Sequence, residues 1–224
     1  MIVGLVHAAG LDAVVHAHGP RSTPRVALTF DLCPTHPPME LDDRIVDALV
    51  ARRARATFFV SGRWTRAQPD AVRRLAREPL FEIANHSFHH PHLTTLDDDE
   101  VRHELTATQD VLRELDVPVP RVFRAPFGEV DARIAHIAAD AGLATIQYDV
   151  VSGDPGPTAT RTRLVRTVLE HARPGSIVIM HANHRRFATA DAVPEIVEGL
   201  RARGLELVTV SELLAPRDAV ERAR

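Results

Sequence analysis

An α/β fold on a mainly parallel sheet is what this sequence predicts, and three observations predict it. Seven short runs rich in β-branched and aromatic residues recur along the chain. Six segments with helical period and capping residues lie between them. Gly142, Gly175 and Gly204 each follow a helical segment and precede a strand, where a left-handed cap is required. Strand and helix therefore alternate throughout, which implies parallel strands joined by right-handed crossovers. The strands are apolar on both faces, as suits a barrel or a doubly wound sheet.

Taken in order, the run RVALTF (25–30) leads into a helix over 41–54, with Asp42 as a candidate N-cap. ATFFV (56–60) follows, then a helix over 68–78 that opens on Gln-Pro-Asp. FEIA (81–84) precedes a long helix over 96–115, whose acidic run from Asp97 to Glu100 complements the dipole of its first turn. RVFR (121–124) and a helix over 130–142 come next. ATIQYDV (144–150), a helix over 159–175, SIVIM (176–180), a helix over 189–204 and LELVTV (205–210) complete the alternation. No internal repeat, low-complexity tract or linker interrupts it. Trp64, in Ser-Gly-Arg-Trp, reads either as core or as the rim of a site.

With 224 residues, 45% of them hydrophobic and 25% charged, the chain is large enough for one continuous core without disulfide staples. A net charge of -3 gives no field for nucleic acid or anionic lipid, although all 27 basic residues are Arg. Cys33 is the single cysteine, so no internal disulfide forms. No apolar run approaches the roughly 18 residues of a membrane-spanning helix. The first residues lack a basic start and are interrupted by Asp12 and histidines, so they make a poor signal peptide and read as an extension. The expected organisation is an extension over 1–24, a domain over 25–214 and a charged tail over 215–224. Oligomeric state leaves no readable trace, and the compartment stays open.

Polar, titratable residues cluster where the strands end. Asp31 follows VALTF, Asn85 and His86 follow FEIA, and Arg124 follows RVF. Asp149 and Asp154 follow ATIQY, and His181 follows IVIM. In parallel α/β folds the carboxyl edge is where loops converge and sites are built. The segment NHSFHHPH (85–92) sets His86 and His90 four apart, a spacing that lets both imidazoles reach one cation. Neutral imidazole suits zinc, cobalt, nickel or iron. His89 and His92 compete for the same role. Taken alone, Asp31 reads equally as a turn cap, and Arg124 as a salt-bridging residue of the sheet.

Five motifs in order carry a resemblance. TFDL, HSFHH, RAPFG, VSGDP and IMH follow the series Thr-Phe-Asp-Asp, His-Ser/Thr-x-x-His, Arg-x-Pro-Tyr/Phe-Gly, Asp-Ser/Thr-x-Asp-Trp and Leu-x-His. From about Arg25 to Leu214 the chain resembles the polysaccharide deacetylase family, the NodB-homology domain of carbohydrate esterase family 4. The resemblance implies a distorted (β/α) barrel of about seven parallel strands, a divalent metal (zinc first, cobalt or nickel next) and an N-acetylated glycan as substrate. It implies His86 and His90 as metal ligands, Asp31 as the general base toward the attacking water and His181 as the general acid. Arg124 would orient Asp31, and Asp154 would pair with His181. Phe127, in the Arg-x-Pro-Phe-Gly motif, and Ile179, in the last motif, would contact substrate. The family usually acts outside the cytoplasm.

The departures concern the metal and the substrate. Leu32 stands where the family has a second aspartate as ligand, and a leucine side chain binds no cation. Asp31, Asp42, Cys33 and His36 are the candidates to replace it, Asp31 and Asp42 foremost. Val151 and Pro155 replace the first Asp and the Trp of the fourth motif.

Overall fold

The computed structural model describes residues 13–34 and 40–215. His36, the start of the expected extension and nearly all of the expected tail lie outside the described residues. In chain order the elements begin with β1 (Val15–His16), β2 (Arg25–Leu32), α1 (Asp43–Ala51), β3 (Ala56–Val60), α2 (Gly62–Ala67), α3 (Pro69–Arg77) and β4 (Phe81–Asn85). They continue with α4 (Asp98–Glu114), β5 (Val122–Phe123), α5 (Ala132–Asp140), β6 (Ala144–Ile146), β7 (Val150–Val151) and α6 (Arg161–His171). β8 (Ile177–His181), α7 (Thr189–Ala202), β9 (Glu206–Leu207) and α8 (Val210–Leu214) end the series. The strand order is β1-β6-β5-β4-β3-β2-β8-β7, with β9 added beside the start of β2, and every ladder between these strands is parallel.

The sheet curls into a (β/α) barrel whose two edges, β1 and β7, share no ladder among the described residues. The run expected as one strand over 144–150 breaks there into β6 and β7. Its middle crosses the gap: the Gln147 N–H donates to the His16 carbonyl at 2.8 Å, and the Asp149 N–H to the Ile177 carbonyl at 3.2 Å. The Asp149 carboxylate accepts from Arg21 at 2.7 Å, from Ser176 Oγ at 3.0 Å and from the Ile177 N–H at 2.9 Å. These bonds tie residues ahead of Arg25 into the barrel wall. At the same seam a Cβ on Gly175, whose φ is +83°, would stand 2.6 Å from the Gly19 carbonyl oxygen, so only glycine fits.

Three apolar layers hold the barrel. On β2 the side chains of Val26, Leu28, Phe30 and Leu32 join an outer core with Ile45 and Leu49 of α1, Leu164 and Val168 of α6, and Ile196 and Leu200 of α7. Trp64 of α2 belongs to that core and is fully buried, so it is no rim residue. Ala27 points the other way, with Phe59, Ala84, Ile146 and Ile177, into the barrel interior. The run expected as a strand over 205–210 pairs only through Glu206 and Leu207. Its remainder leads into α8, where Thr209 and Glu212 form a capping box, and Val208, Val210 and Leu213 fill the interior. α4 and α5 cover Phe123 with a third cluster. Among the described residues no helix is long and apolar enough to cross a membrane.

Candidate functional site

Parallel register brings the chemistry to one edge. Asp31 of β2 is paired with His181 of β8, and Asn85 of β4 with Phe123 of β5, so His86 and Arg124 step off neighbouring strands side by side. A cleft of about 350 Å³ opens there, lined by Asp31, Cys33, His86, His90, Arg124 and His181 on its polar side. Phe127, Tyr148, Val151, Pro155, Ile179 and Phe187 form its apolar side. A second cleft of about 340 Å³ lies at the opposite edge, where β3, β4 and β5 begin. There Arg55 pairs with Glu212 at 2.9 Å, and Glu82 accepts from Thr57 at 2.8 Å, so its charges serve one another.

Asp31 is buried, and its Oδ1 accepts from Arg124 Nη1 at 2.7 Å. The same nitrogen donates to Thr29 Oγ1 at 2.9 Å, and the guanidinium lies over the Phe59 ring, 4.0 Å from its centroid. Burial alone would raise the Asp31 carboxyl, but Arg124, His86 and His181 outweigh it and hold the group below its ordinary value. Across the cleft, His181 Nδ1 lies 2.9 Å from Asp154 Oδ1. Asp154 Oδ2 accepts from the His181 N–H at 2.6 Å and from Thr189 Oγ1 at 2.8 Å. Burial opposes a charge on His181, yet its bond to Asp154, and the nearby Cys33, raise it well above its ordinary value. The cleft thus sets a carboxylate shifted toward its ionised form opposite an imidazole shifted toward its protonated form.

Cys33, His86 and His90 meet beside Asp31, their donor atoms all within 4.8 Å of one another. Cys33 Sγ lies 3.6 Å from His86 Nε2. Zinc bonds of about 2.0–2.3 Å in tetrahedral geometry separate donors by roughly 3.3–3.8 Å; the Cys33–His86 pair already lies in that range, and the 4.8 Å limit on the whole set leaves about 1 Å for the side chains to close around a divalent cation. His86 Nδ1 stands 2.8 Å from the Arg124 carbonyl, which only accepts, so the proton sits on Nδ1 and Nε2 is left to face the cluster. Burial disfavours a Cys33 thiolate, but His86, His181 and His90 draw the thiol well below its ordinary value. Burial likewise opposes charge on His86, while Asp31 and Cys33 raise it.

Comparison with known proteins matches residues 18–146 to the family model described as polysaccharide deacetylase. The chain belongs to the polysaccharide deacetylase family. It is 30% identical over 198 residues to a peptidoglycan-N-acetylglucosamine deacetylase of Bacillus cereus, an alignment covering 87% of this chain and 70% of the relative. It is 34% identical over 220 residues to a chitooligosaccharide deacetylase of Bradyrhizobium, covering 91% and 97%. Among solved structures it superposes with a TM-score of 0.81 on a peptidoglycan N-acetylglucosamine deacetylase, at 28% identity over 89% of this chain and 92% of the other. It also superposes, with a TM-score of 0.83 at 26% identity, on a carbohydrate esterase family 4 pseudoenzyme from Bacillus anthracis, over 92% of this chain and 70% of that one.

Within this polysaccharide deacetylase the expected residues Asp31, His86, His90, Arg124, Phe127, Asp154, Ile179 and His181 all line one cleft. Asp42 does not. Its carboxylate caps α1 and accepts from Arg44 Nη2 at 2.7 Å and Nε at 3.0 Å, while Cys33 is the residue that stands with His86 and His90. His89 and His92 also stay outside the lining: their Nδ1 atoms pair with Glu104 at 2.6 Å and with Glu129 at 2.8 Å.

Sequence reasoning missed Glu104, a buried residue of α4. Its Oε2 accepts from the Phe88 N–H at 2.8 Å and the His89 N–H at 2.7 Å, holding the loop that carries both histidines. Asn85 helps, accepting from the Ser87 N–H at 2.9 Å, while Ser87 and His90 take the left-handed conformation, with φ of +59° and +63°. Asn183 was missed as well; its Nδ2 donates to the Cys33 carbonyl at 2.5 Å.

Proposed function

We propose that this chain is a metal-dependent hydrolase that removes acetyl groups from N-acetylated amino sugars of a peptidoglycan, chitin-like or exopolysaccharide chain. The observation that carries the reading is the opposition of Asp31, held by Arg124, to His181, held by Asp154, across one cleft. An amide is a poor electrophile with a poor leaving group, so its hydrolysis needs a polarised carbonyl, a deprotonated water and a proton donor on the far side. A divalent cation held by His86 and His90, zinc before cobalt or nickel, would supply Lewis-acid polarisation. Asp31 takes the proton of the attacking water, and Arg124 keeps its carboxylate oriented. His181 Nε2 gives a proton to the departing amine, and Asp154 holds the ring in the orientation that aims it. Phe127 and Ile179 offer apolar contact to the sugar and its acetyl group. The names of the Bacillus and Bradyrhizobium relatives support the glycan class.

A specific observation favours a second reading, a glycan-binding member without turnover. Leu32 supplies no ligand, and one similar structure is a pseudoenzyme, of which a mutant is described as having restored enzymatic activity. Acetate release from chito-oligomers and peptidoglycan fragments, with and without added zinc, a chelator and His86→Ala, tests both. The proposal expects release that chelation and the substitution abolish. Release indifferent to both sinks the metal mechanism, and saturable glycan binding with no acetate establishes the second reading.

A further inference from the structure

We propose that Cys33 is the third ligand of the cation site, so that two imidazoles and a thiolate bind the ion where the family uses a carboxylate. The inference rests on the metal-dependent reading above and concerns what this chain does about Leu32. Strand pairing decides which side chain is available. β2 stays in register through Leu32, which pairs with Val60, and the fully buried Leu32 side chain joins the outer core with Val26, Leu28 and Phe30. Alternation along a strand therefore turns position 32 away from the interior that Asp31 faces. Cys33 is the next residue to line the cleft, and it does so against imidazoles rather than aliphatic neighbours.

Its backbone is anchored from the far side of the cleft. The Cys33 carbonyl accepts from Asn183 Nδ2, and the segment beside Asn183 is itself held, since the Asp42 N–H donates to the Ala182 carbonyl at 2.7 Å. Of the alternatives, Asp42 is engaged elsewhere, by Arg44, and Asp31 gives its Oδ1 to Arg124 while its Oδ2 stands beside the cluster, 3.8 Å from His86 Nε2, where a base toward a bound water would also stand. Among the described residues, Cys33, His86 and His90 are the group of ligand atoms that converges. This arrangement also resolves a competition within the site, because a cysteine ligand leaves Asp31 free to act as a base. A thiolate is a soft donor, so the site should prefer zinc, cobalt(II) or cadmium over manganese or magnesium.

Cobalt(II) reports the ligand directly. The purified protein, Cys33→Ser and Cys33→Asp are titrated with cobalt(II) while absorption is recorded, and zinc and manganese affinities are measured by competition. Circular dichroism checks the fold of each, and acetate release from chito-oligomers is followed in parallel. The wild type should show a near-ultraviolet thiolate-to-cobalt charge-transfer band that both variants lack. Cys33→Ser should weaken zinc by at least about tenfold, the scale on which even residues behind the ligands act. Cys33→Asp should narrow the preference for zinc over manganese. A folded Cys33→Ser with the wild-type spectrum and affinity overturns the assignment, as does alkylation of Cys33 by iodoacetamide at one rate with and without zinc. Turnover by a wild type that shows no band overturns Cys33 as ligand and leaves the deacetylase reading standing. The band without acetate release does the reverse.

Discussion

Glu104→Ala tests how the histidine loop is held, at a residue that lies outside the cleft. The buried carboxylate accepts from the Phe88 and His89 N–H groups and pairs with His89 Nδ1. Hydrogen bonds to a charged acceptor are worth about 1.5–3 kcal/mol each. Phe88 is buried, so its N–H is left without a partner and the loss counts in full, whereas the half-exposed His89 recovers much of its loss from water. The expected cost is therefore about 2–3 kcal/mol, one full bond and a fraction of the others. For a chain of this size that lowers the melting temperature by roughly 4–12 °C. The looser loop must also blur the position of His86 and His90, and residues that orient ligands typically change metal affinity by about 10–100-fold. Differential scanning calorimetry and zinc competition read the two effects, and Glu104→Gln, which keeps an acceptor for the two N–H groups, should restore most of each. A Glu104→Ala protein that melts and binds zinc like the wild type refutes the argument.

Three further outcomes follow from the same geometry. Arg124→Leu should cost about 3–5 kcal/mol in urea unfolding, because it strands the buried Asp31 carboxylate, and adding Asp31→Asn should return part of that cost; strictly additive losses would contradict the coupling. Asp154→Asn should lower kcat for acetate release by about 10²–10⁴ with KM little changed, since it removes the partner that keeps His181 protonated and aimed; an unaltered kcat would exclude His181 as the acid. Phe127, 55% exposed and stacked on His92 with centroids 4.1 Å apart, offers a ring to the substrate, so Phe127→Ala should raise KM about tenfold, a loss of about 1.4 kcal/mol in binding; an unchanged KM would remove it from the sugar site.

Much of the site could be read from the chain because its members end strands. A run such as VALTF or IVIM identifies a buried parallel strand, parallel strands share one carboxyl edge, and so Asp31, His86, Arg124 and His181 had to converge whatever their separation in sequence. Glu104 carried only a faint signal, a carboxylate inside the apolar stripe of α4 between Val101 and Leu105, where a solvated face would not lie. Asn183 and Thr189 carried none, since each acts on a residue far along the chain, Cys33 and Asp154, from a loop and a helix start that place polar side chains for ordinary reasons. The splitting of 144–150 was hidden too, because the gap between β6 and β7 exists only once β1 occupies the neighbouring edge.

The proposed third ligand, Cys33, stood in the sequence only as one of four candidates, behind Asp31 and Asp42, and for a different reason. Alignment by motif treats each position as having a fixed direction, so a leucine at 32 reads as a lost donor. Direction belongs instead to the strand, whose period is two and whose last paired residue decides which side chain turns inward next. Because β2 pairs as far as Leu32, an apolar residue there extends the outer core, and the donor function passes to the first residue beyond the ladder. Read that way, the change at 32 and the cysteine at 33 form a single adjustment: the strand gains a buried side chain, and the cleft exchanges an oxygen donor for sulfur.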